Sequence, residues 1–187
     1  LASPNLTLQP IHEGTLLISL WVTILALFSA VGIILRQVAI PTFSPYVTLT
    51  PGFVMPLLTG IVLGPLGGLL CGVIVGMSGA LWEPILIPLL GNIALGVSTG
   101  IPTYYRHKLS RVSWTLICIL SAVIIGGFLP TFVIEVLVFG VPMIVAALTA
   151  SVDAVQAGIW VVVVIILAQR IVDPILLRYR RTSQITE

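Results

Sequence analysis

The sequence predicts an all-α membrane protein with six transmembrane helices and both termini cytoplasmic, and three observations carry that prediction. Hydrophobic residues make up 58% of the 187-residue chain and charged residues only 7%, whereas a soluble domain carries roughly a quarter charged residues. Apolar runs close to the ~20 residues needed to cross a bilayer recur along nearly the whole length. Six of the eight Lys and Arg residues gather in two clusters beside such runs, at 106–111 and 178–181, and clusters of this kind mark the cytoplasmic side. A single transmembrane domain over residues 1–187 in the cell membrane is therefore expected, with no room for a soluble domain beyond the loops. The net charge of +2 is small and most of the basic residues lie in those two clusters, which argues against a nucleic-acid partner.

Taken in order, a polar lead-in containing Pro4, Pro10 and His12 precedes a first span at 15–35, uncharged until Arg36. Residues 36–50, RQVAIPTFSPYVTLT, alternate polar, proline and aromatic residues, which suits an ordered loop or interfacial cap better than a span. The stretch 51–82 carries no charge at all and has Gly64-Pro65-Leu66-Gly67-Gly68 at its middle. Proline fixes φ and glycine tolerates the left-handed region, so this is turn chemistry between two short membrane helices, 52–63 and 67–82. Gly68, Gly72, Gly76 and Ala80 recur every fourth residue on the second of them, leaving a smooth stripe where another helix backbone can come close. Pro56 interrupts the first arm, which is tolerable only where other protein or a cavity satisfies the freed backbone groups.

A fourth span is expected at 85–105, with Pro88, Asn92 and Pro102 in it, and a fifth at 112–130, meeting Gly126-Gly127 and Pro130. Residues 131–150 are apolar again but broken by Glu135, Gly140 and Pro142. The last span is expected at 154–177. Placing both basic clusters inside requires an even number of crossings between them. Two crossings fit, so 131–150 is expected either to continue a broken fifth helix or to dip and return on the outer side. Counting back from Arg106 through four spans puts the N-terminus inside, which leaves the Asn5-Leu6-Thr7 sequon without meaning. Internal repeats and low-complexity tracts are absent from the sequence.

Chemistry narrows the function. The single lysine, Lys108 in YYRHKLS, has no glycine-rich phosphate cradle before it, so the chain cannot draw on nucleotide energy itself. Gly76-Met77-Ser78-Gly79 is a GxSG string of the kind an intramembrane serine protease uses. That reaction needs a general base within reach of the serine, and the only histidines, His12 and His107, are both assigned to the opposite, cytoplasmic side. The His, Cys, Asp and Glu residues show no metal-ligand spacing, so neither metal nor cofactor is expected; Cys71 and Cys118 fall inside apolar runs and read as small packing residues. Binding remains. Ionisable residues at membrane depth are costly and mark a pathway, a pocket or a mutual pair. The topology collects Arg36, Glu83, Glu135 and Asp153 at the outer face, where with Gln37, Tyr46, Trp82, Asn92, Gln156 and Trp160 they are candidates to line one outward cavity. The plainer alternative makes the acids solvated interface residues, Arg36 a snorkelling side chain and the two tryptophans members of the interfacial belt. Three acids against one arginine suit a cationic or amine-bearing ring compound stacked on Trp82 or Trp160.

Size, span count and the order of these features resemble the substrate-binding S-components of energy-coupling-factor (ECF) vitamin transporters. The more specific elements are Ala26-Leu27-Phe28-Ser29-Ala30, an AxxxA string like the one that family docks with, and the Leu63-Gly64-Pro65-Leu66-Gly67-Gly68 hairpin. The proline-containing segment 36–50 is similar to the family's lid over bound ligand. The resemblance implies six spans and a pocket near the outer face. It further implies capture of a vitamin-like molecule, and docking through Ala26 and Ala30 onto a transmembrane T-component that carries two ATP-binding subunits. Toppling within the bilayer would then turn the pocket inward. No N-terminal histidine motif of the cobalt and nickel branch is present, which argues against a metal-ion substrate. Two other classes compete with this reading: a small structural membrane subunit whose glycine stripe packs into a larger complex, and an intramembrane or lipid-handling enzyme. The second lacks a cytoplasmic acidic cluster to hold Mg²⁺ beside a phosphate.

Overall fold

Inside hydrocarbon a backbone must satisfy its own polar groups, and a chain this apolar does so by coiling into helices. The computed structural model describes residues 11–38, 40–41, 48–79 and 86–172. Helix α1 spans Ile11–Arg36; a two-residue antiparallel ladder follows, β1 (Ile40–Pro41) paired with β2 (Thr48–Leu49). A 3₁₀ turn at Pro51–Phe53 leads into α2 (Val54–Ser78), and α3 covers Leu86–Tyr104. Beyond a second 3₁₀ turn at Arg106–Lys108 come α4 (Arg111–Ser121), a π-helical stretch (Ala122–Phe128) and α5 (Leu129–Leu137), which run on as one rod. Helix α6 (Met143–Leu167) ends in a short π turn, Ala168–Val172. Among the described residues, five helical stretches are long and apolar enough to cross a membrane: Ile18–Arg36, Pro51–Ser78, Leu86–Tyr104, Arg111–Leu137 and Met143–Arg170.

The second of these stretches is broken at Gly64, whose φ of 81° and ψ of −173° lie outside the helical region. A residue with a Cβ pays heavily in that conformation, and glycine does not. The break folds α2 back on itself. Gly52, before its first arm, packs on the Cα, Cβ and Cδ atoms of Arg36, and Gly79, after its second, packs on the guanidinium of the same residue. The arms, residues 54–63 and 65–78, rise about 15 and 21 Å at the helical 1.5 Å per residue. Against them lies α3, close enough that a methyl group on Gly60, Gly68, Gly72 or Gly76 would collide with α3 atoms, its backbone above all. The stripe at Gly68, Gly72 and Gly76 is thus the contact surface of the hairpin for α3, a small-residue seam that lets two backbones approach. The main apolar core joins Leu57, Leu58 and Ile61 of the first arm to Leu95 of α3, Trp114 and Cys118 of α4, and Val161 and Val164 of α6. Cys71 and Cys118 are buried free thiols.

Residues 131–150 do not form a dipping segment of their own. Helix α5 continues the fifth rod to Leu137, and a turn containing Gly140, at φ 65°, and Pro142 starts α6 at Met143, eleven residues before the expected 154. Of the two expectations for this region, the continuation is the one observed. The π stretch explains why the buried face of the rod widens beyond Ala122. Trp114, Cys118 and Ala122 are buried at intervals of four; strict spacing would continue through 126, 130 and 134. Gly126 and Ile134 keep that spacing and are buried, but a second buried series, Gly127, Thr131 and Glu135, runs beside them one residue later. Pro130 cannot donate a backbone bond, and Leu129 N–H reaches back to the Ile124 carbonyl, five residues away. That wide turn inserts the extra residue and brings the second series into the buried face.

Candidate functional site

On α6, Thr149, Asp153, Gln156 and Trp160 stand at i, i+4, i+7 and i+11, a spacing that puts them on one helical face. The first three are buried; Trp160 is half-buried and packs on the main core. Gln156 donates through Nε2 to the Thr50 carbonyl at 3.3 Å, spanning 106 residues of sequence. Thr50 in turn accepts at its hydroxyl from Gly52 N–H at 3.1 Å and donates to the Leu35 carbonyl at 3.4 Å. One buried threonine therefore ties the return of the first loop to the end of α1 and to the polar face of α6.

Two carboxylates lie between α5 and α6, each held from the opposite helix. Thr131 of α5 donates to Asp153 Oδ2 at 2.6 Å, and Thr149 of α6 donates to Glu135 Oε2 in a short contact. The sequence carries the pattern twice, as Thr131-x-x-x-Glu135 and Thr149-x-x-x-Asp153. Run antiparallel, the two strings pair each hydroxyl with the other's acid. Close approach is possible because Gly127 sits against Ala154 and the Asp153 carbonyl, where a methyl group would stand 2.8 Å from backbone atoms. Glu135 is fully buried and its Oε1 has no hydrogen-bond partner.

The remaining candidates divide clearly. Arg36 is buried rather than snorkelling, with its Cζ 6.0 Å from the Phe53 ring centroid and its side chain between the two ends of the hairpin. Asn92 is fully buried on α3; its Nδ2 donates to the Pro88 carbonyl at 2.7 Å and its Oδ1 has no partner. Gln37 is exposed, and its amide reaches back to the Ile33 carbonyl at 3.4 Å. Tyr46, Trp82 and Glu83 lie outside the described residues. The structure thus brings Glu135, Asp153 and Gln156 onto one seam, sets Arg36 beside the Leu35–Thr50 junction at its border, and leaves Gln37 on the surface. Thr50, Thr131 and Thr149 bond to these candidates, and the repeated Thr-x-x-x-acid spacing is the sequence signal for two of them.

Elsewhere the chemistry is sparse. Ser78 donates to the Val75 carbonyl of its own helix at 2.7 Å. Among the described residues, His, Cys, Asp and Glu form no group of three or more able to hold a metal ion. At the other end of the bundle Arg106 lies 4.8 Å over the Trp114 ring and Arg111 donates to Gln169 at 2.5 Å. On α1, Ala26 and Ala30 are both exposed, flanked by Val22, Leu27 and Ile34, which are more than half exposed.

The seam, the hairpin and the polar face of α6 all fall within residues 21–177, which match the family model for the ECF transporter substrate-specific component. The chain belongs to this family. As an ECF substrate-specific component it is a multi-pass protein of the plasma membrane, and it serves as a substrate-binding subunit that works with an energising module in the membrane. No curated protein gives a match to the chain.

Proposed function

We propose that this S-component captures a small vitamin-like molecule from the outer face of the membrane and hands it to a separate module, a T-component with two ATP-binding subunits, for ATP-driven uptake. The observation that carries the reading is the polar seam: Glu135, Asp153 and Gln156 are buried together at the Arg36 end of an otherwise apolar bundle, tied through Thr50 to the first loop. Buried polar groups in hydrocarbon are expensive, and a ligand site is the usual reason to keep them. In this reading the protein is one transmembrane domain, the 106–111 end faces the cytoplasm, and the hairpin counts as two crossings, giving six spans with both termini inside. Residues 36–50 cap the site, and Tyr46, Trp82, Glu83, Asn92, Gln37 and Trp160 complete its wall. Docking uses the exposed Ala26 and Ala30 on α1, where small side chains permit close helix contact. The chain itself catalyses no reaction.

The test is native mass spectrometry of the protein purified in mild detergent. A non-covalent adduct of small-molecule mass, weakened about tenfold by Glu83→Gln if a charge-assisted bond is made there and removed by Trp82→Ala, supports the reading. Adhering lipid alone, with a protein partner that survives purification, would replace it with the structural-subunit alternative.

A further inference from the structure

The seam is short of protons. The Thr149 hydroxyl has one hydrogen and three acceptors within reach: Glu135 Oε2, the Ala146 carbonyl at 3.0 Å and the Val145 carbonyl at 3.3 Å. Glu135 Oε1, fully buried, receives nothing. A second orphan acceptor, Asn92 Oδ1, is fully buried on α3, whose own helix packs against α5. Asn92 lies on the α3 face between the one that meets the hairpin at Gly72 and the one that meets Gly126 through Leu95, so it points toward the bundle interior. Among the described residues four buried side-chain atoms lack a partner, Ser29 Oγ, Asn92 Oδ1, Trp114 Nε1 and Glu135 Oε1, and of these only Asn92 Oδ1 and Glu135 Oε1 are pure acceptors. An acceptor left unmade in a low-dielectric site costs a few kcal/mol. A ligand that brings donors relieves that cost, and one that brings positive charge with them relieves it most.

We infer that the group bound at Glu135 is a protonated nitrogen, so that the captured molecule is a small amine or nitrogen heterocycle carrying positive charge at neutral pH. The inference rests on the substrate-capture reading and deepens it. Glu135 Oε1 accepts from the ligand's N–H, the Thr149 hydroxyl holds the other carboxylate oxygen in place, and Asn92 Oδ1 accepts a further donor from the same molecule. Asp153, one turn deeper on α6 and bonded to Thr131, adds a second negative charge to the field that the nitrogen meets. An anionic molecule would face two buried carboxylates and leave both orphan acceptors unmade.

The experiment uses the full chain in mild detergent, incubated with an equimolar mixture of the water-soluble vitamins and their amine, alcohol and carboxylate derivatives, with retained species read by native mass spectrometry. The expected result is retention of a species whose nitrogen is protonated at neutral pH. Glu135→Gln, which keeps shape and polarity but not charge, lowers that retention at least tenfold. In the wild-type protein the N-acetylated form of the same amine fails to compete, a measurement that does not depend on a variant folding. Retention of an anionic or uncharged species, or equal retention of the amine by Glu135→Gln, overturns the inference while leaving substrate capture standing. Retention of nothing in the mixture overturns substrate capture and the inference with it.

Discussion

At the residue scale, the seam between α5 and α6 makes a specific demand on its threonines. Thr131→Val keeps the volume but removes the hydroxyl from a buried carboxylate, which costs about 1–3 kcal/mol. The expected readout is a lower unfolding temperature in detergent, with the larger loss for Thr149→Val, because Glu135 Oε1 is already without a partner. Identical unfolding temperatures for wild type and both variants would show the hydroxyls to be spectators. Asp153, Glu135 and Gln156 were legible from sequence because polar residues stand out in apolar helices. Their pairing was not, since it depends on the register between two helices that meet only after the Gly140 turn. For Arg36 the plainer alternative, a snorkelling side chain, does not hold: the side chain is buried in a slot that glycines at 52 and 79 leave open.

At the element scale, the hairpin and the π stretch separate what local chemistry determines from what packing determines. The turn at Gly64 was visible in the Gly-Pro-Leu-Gly-Gly string, and its φ of 81° makes the glycine necessary. Gly64→Ala should destabilise by about 1–3 kcal/mol. Gly91→Ala is the control: its site on α3 is open, with nothing within 4 Å of an added methyl, so the change should be neutral or stabilising by up to ~1 kcal/mol. Thermal unfolding of the two variants side by side checks both. If Gly64→Ala matches Gly91→Ala, the sharp turn is not what holds the arms together. The boundary between the fifth and sixth helices falls at Gly140 and Pro142, between Leu137 and Met143, and not at 131 to 153 as expected, because Glu135 does not break the helix it sits in. Only two of the three break anything; the glutamate stays within α5, as glutamate readily does in a helix.

At the scale of the whole molecule, the account divides the surface into a capture end and a docking face. Ala26 and Ala30 are exposed on α1, which packs chiefly on the hairpin rather than on α5 or α6, so bulk added there should spare ligand binding and block assembly. The double substitution Ala26→Leu with Ala30→Leu is expected to leave the native-mass-spectrometry adduct unchanged while reducing co-purification with the T-component tenfold or more. Loss of both together would place the ligand and partner sites on one surface. Membrane class and family likeness were legible in the sequence because composition and turn chemistry are local properties. Which polar residues meet was not, because helix register and the one-residue shift of the π stretch are set by packing.

The most direct measurement of the central claim is uptake. Proteoliposomes holding this chain with a T-component and its two ATP-binding subunits would be loaded with ATP, and the external adduct molecule followed as it accumulates. The account predicts accumulation inside that stops without ATP and without this chain, and that falls in proportion to affinity in Glu135→Gln. Equal uptake by vesicles that lack the chain, or specific binding that never becomes ATP-dependent accumulation, would contradict it.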